Sequence, residues 1–228
     1  MQLIRDKKRE DRLMKNLKHK PLEGVHLTSL CSCLRAAYYD QVDPLPPRKR
    51  MLLYWIIGTM FQRKFYQKQN SNKELACPIG DGFIYTTPDN IKEQADFKTT
   101  RKFVQSELPE YWWPQVAFYA WWNGVTKWKV DIVYIGSSYP KKKDIPAWAP
   151  TEDDDCRAPN LICYTVQFED EEIEEYVNFV LDRAEELQQY LSEWGRFVDG
   201  YGKVCVPPME QSFKCGECSY AFQCNLGE

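Results

Sequence analysis

The chain has 228 residues, 43% hydrophobic and 14% aromatic, enough to fill a core and to exclude disorder as a description of the whole. No run of about 18 apolar residues occurs, and the opening MQLIRDKKRE lacks the apolar stretch of a secretory signal, so a soluble, cytoplasmic protein with no membrane role is expected. The net charge of −3 does not exclude a polyanionic partner, because residues 1–150 carry +10 and residues 151–228 carry −13.

Residues 1–24 read as a basic arm, with no deep apolar periodicity beyond Ile4, Leu13 and Leu17 in its first twenty positions. The rest, 25–228, reads as a single domain. Its first part, 25–75, is helical. A helix is expected over 27–40, where Leu30, Cys33, Leu34 and Ala37 recur at helical spacing and Thr28 or Ser29 can cap. The Pro-rich DPLPPRKR then leads into a second helix over 51–69.

The middle part, 76–200, alternates strands and helices. A strand over 82–87 is followed by a turn at Pro88-Asp89-Asn90 and a returning strand over 91–99. In that second strand Lys92, Gln94, Asp96 and Lys98 share one face. An aromatic helix over 108–123, a strand over 127–135, a loop over 141–157 and a strand over 161–168 come next. An amphipathic helix over 170–194 closes the part, with Ile173, Val177, Val180, Leu181, Ala184, Leu187 and Leu191 inward. This order gives an α/β fold, a mixed sheet flanked by helices, ahead of a cysteine-rich tail over 201–228.

The tail holds Cys215, Cys218 and Cys224 as C-x2-C-x5-C. Nine cysteines in a chain expected in the cytoplasm point to metal ligation rather than to disulfides. Zinc and cubane clusters both want four ligands, and the second half of the chain has no histidine. The fourth ligand therefore comes from afar: Cys33 first, Cys31 second. Spacing alone leaves zinc and iron–sulfur both open.

Asp96-Phe97-Lys98 sets a carboxylate and an ammonium on one strand face. Such a pair suits metal-assisted hydrolysis, the carboxylate holding Mg²⁺ or Mn²⁺ and the lysine serving the attacking water or the charge building on phosphoryl oxygens. An exposed strand ion pair produces the same pattern. A second carboxylate is needed, and Asp81 stands fifteen residues earlier, a separation that fits a strand, a turn and a return. Asp89 forms a literal Pro-Asp but sits so close to Asp96 that it is assigned to the turn. Gln115 and Tyr119, four apart on the following helix, share a face that can look toward the same strand.

In these residues and their order the chain resembles the RecB-type PD-(D/E)xK nucleases. It most resembles the four-cysteine CRISPR-associated exonucleases, the Cas-four family, with their phage and archaeal-virus relatives. Cys33-Leu34-Arg35 followed by Tyr38 and Tyr39 resembles the first-cysteine signature. Gly80-Asp81-Gly82, Asp96-Phe97-Lys98 and Gln115–Tyr119 resemble the aspartate, (D/E)xK and Q-x-x-x-Y motifs. The resemblance implies a restriction-endonuclease-like fold and a [4Fe–4S] cluster on Cys33, Cys215, Cys218 and Cys224, joining the helical part to the tail. It also implies cleavage of single-stranded or end-containing DNA with Mg²⁺ or Mn²⁺ on Asp81 and Asp96. Lys98, Gln115 and Tyr119 would complete the catalytic set. Partners implied are DNA and either CRISPR adaptation proteins, such as an integrase complex, or viral recombination proteins. Arg101, Lys102 and the basic arm would follow phosphates, and Trp112 or Trp113 would pack or stack on bases.

One position departs from the family. Gly58-x-x-x-Gln62 stands where the family carries glycine and a metal-binding histidine. The amide oxygen of Gln62 can ligate Mg²⁺ but is a poorer donor to Mn²⁺. A weakened or inactive DNA-binding adaptor is the alternative reading, and a zinc-stapled protein with no nucleic-acid role the third.

Overall fold

Two three-stranded mixed sheets with helices against them form the part of the chain that this computed structural model describes: residues 24–47, 49–66, 74–80, 82–101, 108–136, 159–193, 218–220 and 224. The arrangement is mixed α/β and consistent with a restriction-endonuclease-like fold. The expected basic arm, Asp81, Lys102, the loop over 141–157 and most of the tail, Cys215 included, lie outside the described residues.

In the first sheet β1 (Val25–His26) runs parallel to β3 (Gly82–Thr86), and β2 (Leu75–Ile79) pairs antiparallel with β3. The sequence reading has no strand at β2, whose LACPI carries a proline. The sheet tolerates Pro78 since β2 is an edge and needs hydrogen-bonding groups on one side only. In the second sheet β4 (Ala95–Thr100) runs parallel to β5 (Lys127–Tyr134), and β6 (Asn160–Gln167) pairs antiparallel with β5.

A parallel pair needs a crossover. Here it contains a 3-10 turn (Glu110–Trp112) and a helix, Trp113–Trp122, with Pro114 at its start, where a missing N–H costs nothing. The expected helix over 108–123 is therefore shorter and enters through the tighter turn.

Two further expectations are corrected. The helix over 27–40 is two helices, α1 (Leu27–Leu30) and α2 (Leu34–Val42), separated by 31–33. Thr28 and Ser29 cap neither; His26 and Cys33 hold the N-cap positions, without side-chain capping bonds. The break is stabilised from a distance. Arg183 donates from Nε to Leu30 O at 2.7 Å and from Nη2 to Ser32 O. The strand over 91–99 begins only at Ala95. Asn90 and Ala95 exchange backbone bonds of 3.0 and 2.9 Å, Asn90 Oδ1 accepts from Glu93 N, and Gln94 takes a φ of 53°. The asparagine side chain thus closes a turn that residue preference for strand does not overcome.

Helix α3 spans Lys49–Phe65, the crossover helix is α4 (Trp113–Trp122), and α5 spans Asp170–Glu193. The inner face of α5 places Ile173, Val177, Val180, Ala184 and Leu187 in the core, with Leu181 and Leu191 half-buried at its margin. Helix α4 packs against it, with Val116, Ala117, Phe118 and Ala120 buried, and Trp128 is fully buried on β5. No helix among the described residues is long and apolar enough to cross a membrane.

Replacing Arg183 by Met keeps the aliphatic stem and removes both bonds to the break. Orphaned carbonyls cost about 1–3 kcal/mol, which in a chain of this size lowers Tm by roughly 2–4 °C per kcal/mol. Thermal melting followed by circular dichroism measures it. Arg183→Lys, which cannot fork to both carbonyls, should recover only part of the loss.

Candidate active site

Helix α3 lies along β4 on one row of residues spaced by four. Tyr54 meets Arg101, Gly58 meets Thr99, Gln62 meets Asp89 and Tyr66 meets Phe97. Gly58 makes the approach possible: a Cβ there would stand 3.2 Å from Thr99 Oγ1, tighter than ordinary packing.

Where this row crosses the start of β4, two carboxylates face each other. Asp89, in the turn after Pro88, accepts from Phe97 N at 2.7 Å through Oδ2 and from Gln62 Nε2 through Oδ1. Burial, and next the charge of Asp96, push its pKa up to about 8, while the Phe97 N–H and Lys98 pull it back. Asp96 is 3% exposed. Lys98 Nζ lies 2.6 Å from Asp96 Oδ2 as an ion pair rather than an aligned hydrogen bond, so that buried oxygen has no hydrogen-bond donor.

The lysine is itself positioned. Its Nζ donates to Gln115 Oε1 at 2.6 Å, and Gln115 Nε2 donates to Tyr119 Oη at 2.7 Å and to Thr28 Oγ1 at 3.4 Å. Thr86 Oγ1 donates to the same phenol oxygen at 3.3 Å. Burial raises the Tyr119 pKa well above the usual phenol value, so the hydroxyl keeps its proton. One run of polar contacts thus leads from the carboxylates to α4, β3 and α1.

The structure brings Asp96, Lys98, Gln115, Tyr119 and Gln62 together. It adds Asp89, which the sequence reading assigns to the turn. Asp81 lies outside the described residues; its neighbours Gly80 and Gly82 close against Gln188 at the other end of β3. Gly82 is four residues, or about 13 Å of strand, from Thr86. The signal for Asp89 is the Pro-Asp-Asn itself, since Asn90 folds the chain back within five residues and delivers the preceding carboxylate to β4.

The donor set fits a small divalent cation. Two carboxylates and an amide supply hard oxygens. Among the described residues no three His, Cys, Asp or Glu side chains form a metal-holding group.

The tail returns to α2 at Tyr220. Its hydroxyl donates to Asp40 Oδ1 at 2.6 Å and accepts from Leu45 N at 3.1 Å, and its ring stacks on Tyr39 at 5.3 Å. Cys224 is buried, and burial, first of all, raises the pKa of both Tyr39 and Tyr220. Cys33 holds the N-cap of the same helix. None of the described cysteines is in a disulfide. Trp112 is buried and Trp113 packs edge-on to Phe168 at 6.4 Å, so both serve the interior.

No family model matches the chain, and no curated protein matches it. The crystal structure of SSO0001 is similar at a TM-score of 0.50 and 16% identity, over 94% of this chain and 92% of that one. The crystal structure of a phage-related exonuclease from Haemophilus somnus 129PT is similar at a TM-score of 0.41 and 13% identity, over 79% of this chain and 99% of that one.

Mn²⁺ at about 100 times its Kd should stabilise the protein by about 2.7 kcal/mol, read as a rise in Tm. Asp89→Asn and Asp96→Asn should each remove most of that rise, and Asp81→Asn should keep it. A rise retained in Asp89→Asn and lost in Asp81→Asn would reverse the assignment of the second carboxylate.

Proposed function

We propose that the chain is a Mg²⁺- or Mn²⁺-dependent DNA nuclease of the PD-(D/E)xK class, acting on single-stranded or end-containing DNA as an exonuclease. The observation that carries this reading is the apposition of Asp89 and Asp96 with Lys98 on the same strand, its ammonium held by Gln115. An ion pair made only for stability would have no use for a second carboxylate pressed against the first.

Asp89 and Asp96 would hold the cation, joined by the Gln62 amide oxygen if that side chain turns over. When bound, the cation supplies charge for the phosphoryl oxygens and acidity for a water. Lys98, fixed between Asp96 and Gln115, presents an ammonium beside the reacting phosphate, where it stabilises developing negative charge and orients the nucleophile. Tyr119, itself bonded by Thr86, and Thr28 hold Gln115 so that the lysine does not drift. Cys33, Cys215, Cys218 and Cys224 are assigned a structural [4Fe–4S] cluster, a reading supported by the docking of Tyr220 on α2, the helix that Cys33 caps.

A second reading, a DNA-binding adaptor with little catalysis, draws on one contact. Gln62 donates its amide N–H to Asp89, which satisfies the carboxylate instead of offering an oxygen to a cation.

End-labelled single-stranded DNA with Mn²⁺ separates the two. Lys98→Ala should lower the cleavage rate by about 10²–10³-fold. Wild-type cleavage no faster than that variant removes the nuclease reading, and activity gained by Gln62→His would then support the adaptor. Iron and sulfide assays after anaerobic purification test the cluster. Brown, iron-bearing protein that loses its iron in Cys33→Ala is expected, whereas a colourless protein with stoichiometric zinc overturns the iron assignment.

A further inference from the structure

Across the second sheet three register partners stand in line: Phe97 on β4, Asp131 on β5 and Cys163 on β6. Register partners point to one face, so this row faces away from Asp96 and Lys98. Phe65 at the end of α3 and Tyr66 next after it come over the row, and a cavity of about 220 Å³ remains there, bordered also by Glu93 and Leu161. It is open to solvent, since Phe65 is 46% and Leu161 40% exposed. Sites for drug-sized ligands measure about 300–1,000 Å³, so this one has room for a single ring system.

Its walls are flat. The Phe65 ring lies 5.9 Å from that of Phe97 at 32°, and Tyr66 meets Phe97 edge-on. Its polar centre is an acceptor. Asp131 Oδ2 accepts from the Tyr66 hydroxyl at 2.8 Å, and the Cys163 thiol donates to the same carboxylate. Desolvation first, and then Asp131, pushes that thiol up to about 11, so it keeps its proton. The two donors orient the carboxylate without filling it, because a carboxylate has about four lone-pair sites. Glu93 and Asp131 line the cavity, and Lys129, two residues before Asp131 on the same strand face, acts on Cys163. Two carboxylates against one ammonium disfavour a phosphate inside and favour a neutral ring that donates hydrogen bonds.

The cavity adjoins the carboxylate pair. Tyr66 N bonds back to Gln62 O at 2.9 Å, so Tyr66 stands one helical turn, about 6 Å, beyond the residue that touches Asp89. Phe97 gives its ring to the cavity and its N–H to Asp89. The Tyr66 pKa is raised by burial first, then by Asp131, and also by the charges of Asp89 and Asp96.

We propose that this cavity takes an unstacked base of the strand bound at the carboxylate pair and prefers a base with an exocyclic amino group, cytosine over thymine. The pocket rests on the nuclease reading for the strand, and on its own walls for the base. Phe65 stacks on the base, as aromatic side chains do in single-strand recognition. Asp131 accepts from the cytosine N4 amino group, where thymine carries an oxygen that a carboxylate repels. Tyr66 and Cys163 are positioning residues that act through Asp131.

The test is binding of fluorescent oligo(dC) and oligo(dT) of equal length to the full chain in EDTA, by anisotropy. Oligo(dC) should bind about tenfold more tightly. Both strands carry the same phosphates, so this ratio should hold as salt is raised while both affinities fall. Phe65→Leu removes the ring and should weaken both strands about tenfold with the ratio kept. Asp131→Asn should bring the ratio near one, because an amide can turn its N–H₂ to the thymine oxygen. Tyr66→Phe should lower it part of the way. Where Asp131→Asn melts early, Leu161→Trp decides: an indole at that exposed position fills the mouth and should weaken both strands and erase the ratio.

Equal wild-type affinities, a ratio that collapses with salt, or a ratio unchanged in Asp131→Asn and Leu161→Trp overturns the pocket. A wild type that binds neither strand overturns it too. These failures are separable from failure of the nuclease reading. Cleavage by a wild type with no base preference removes the pocket alone. A preference kept in a protein that cleaves no faster than Lys98→Ala removes the nuclease alone.

Discussion

Asp89 and Asp96 repel one another in a place with little water, and much of the surrounding structure answers that repulsion. Burial of two negative groups side by side is unfavourable unless a proton, a cation or strong donors compensate. Here the Phe97 N–H and the Gln62 amide serve Asp89, and the Lys98 ammonium serves Asp96. A buried ammonium needs acceptors in turn, and Gln115 supplies one. The Gln115 amide then needs acceptors, which Tyr119 and Thr28 provide. A requirement that starts at two carboxylates thus reaches into four elements, and moving any one of them unsettles the charge balance at the strand.

That dependence explains why α3 must lie so close to β4. Gln62 reaches Asp89 only if the helix sits nearly on the strand, and the position that touches Thr99 is a glycine. Further along the same row, Tyr66 donates its hydroxyl to Asp131 Oδ2 at 2.8 Å and packs edge-on to Phe97. The helix is therefore anchored to both β4 and β5 near the carboxylates. Elsewhere it buries little: Leu53, Trp55 and Met60 are exposed, and no residue of α3 is fully buried. Its seat depends more on these few contacts than on a hydrophobic face.

The order of helices and strands was legible in the sequence where periodicity was long, as in α5 and β5, whose apolar spacing matches the core they fill. The lysine, glutamine and tyrosine of the site were legible for a related reason, because i, i+2 on a strand and i, i+4 on a helix fix which side chains share a face. Local side-chain chemistry was harder to see. Asn90 overrides an apparently continuous strand by closing a turn, and that turn carries Asp89 to Asp96. The break at 31–33 was hidden because its stabilising partner, Arg183, is about 150 residues away. Long-range donors leave no trace in local pattern.

The two charged ends of the chain also differ in kind. Helix α5 begins with Asp170, Glu171 and Glu172, the sign that its own dipole favours, so part of the acidity of the second half is explained by helix stability alone. Helix α3 begins with Lys49 and Arg50, the sign its dipole disfavours, and Arg101 comes to the same place from the end of a strand. A charge that follows the dipole needs no ligand to account for it. The −3 of the whole chain therefore averages an acidity that follows the dipole of α5 with a basicity set against the dipole of α3.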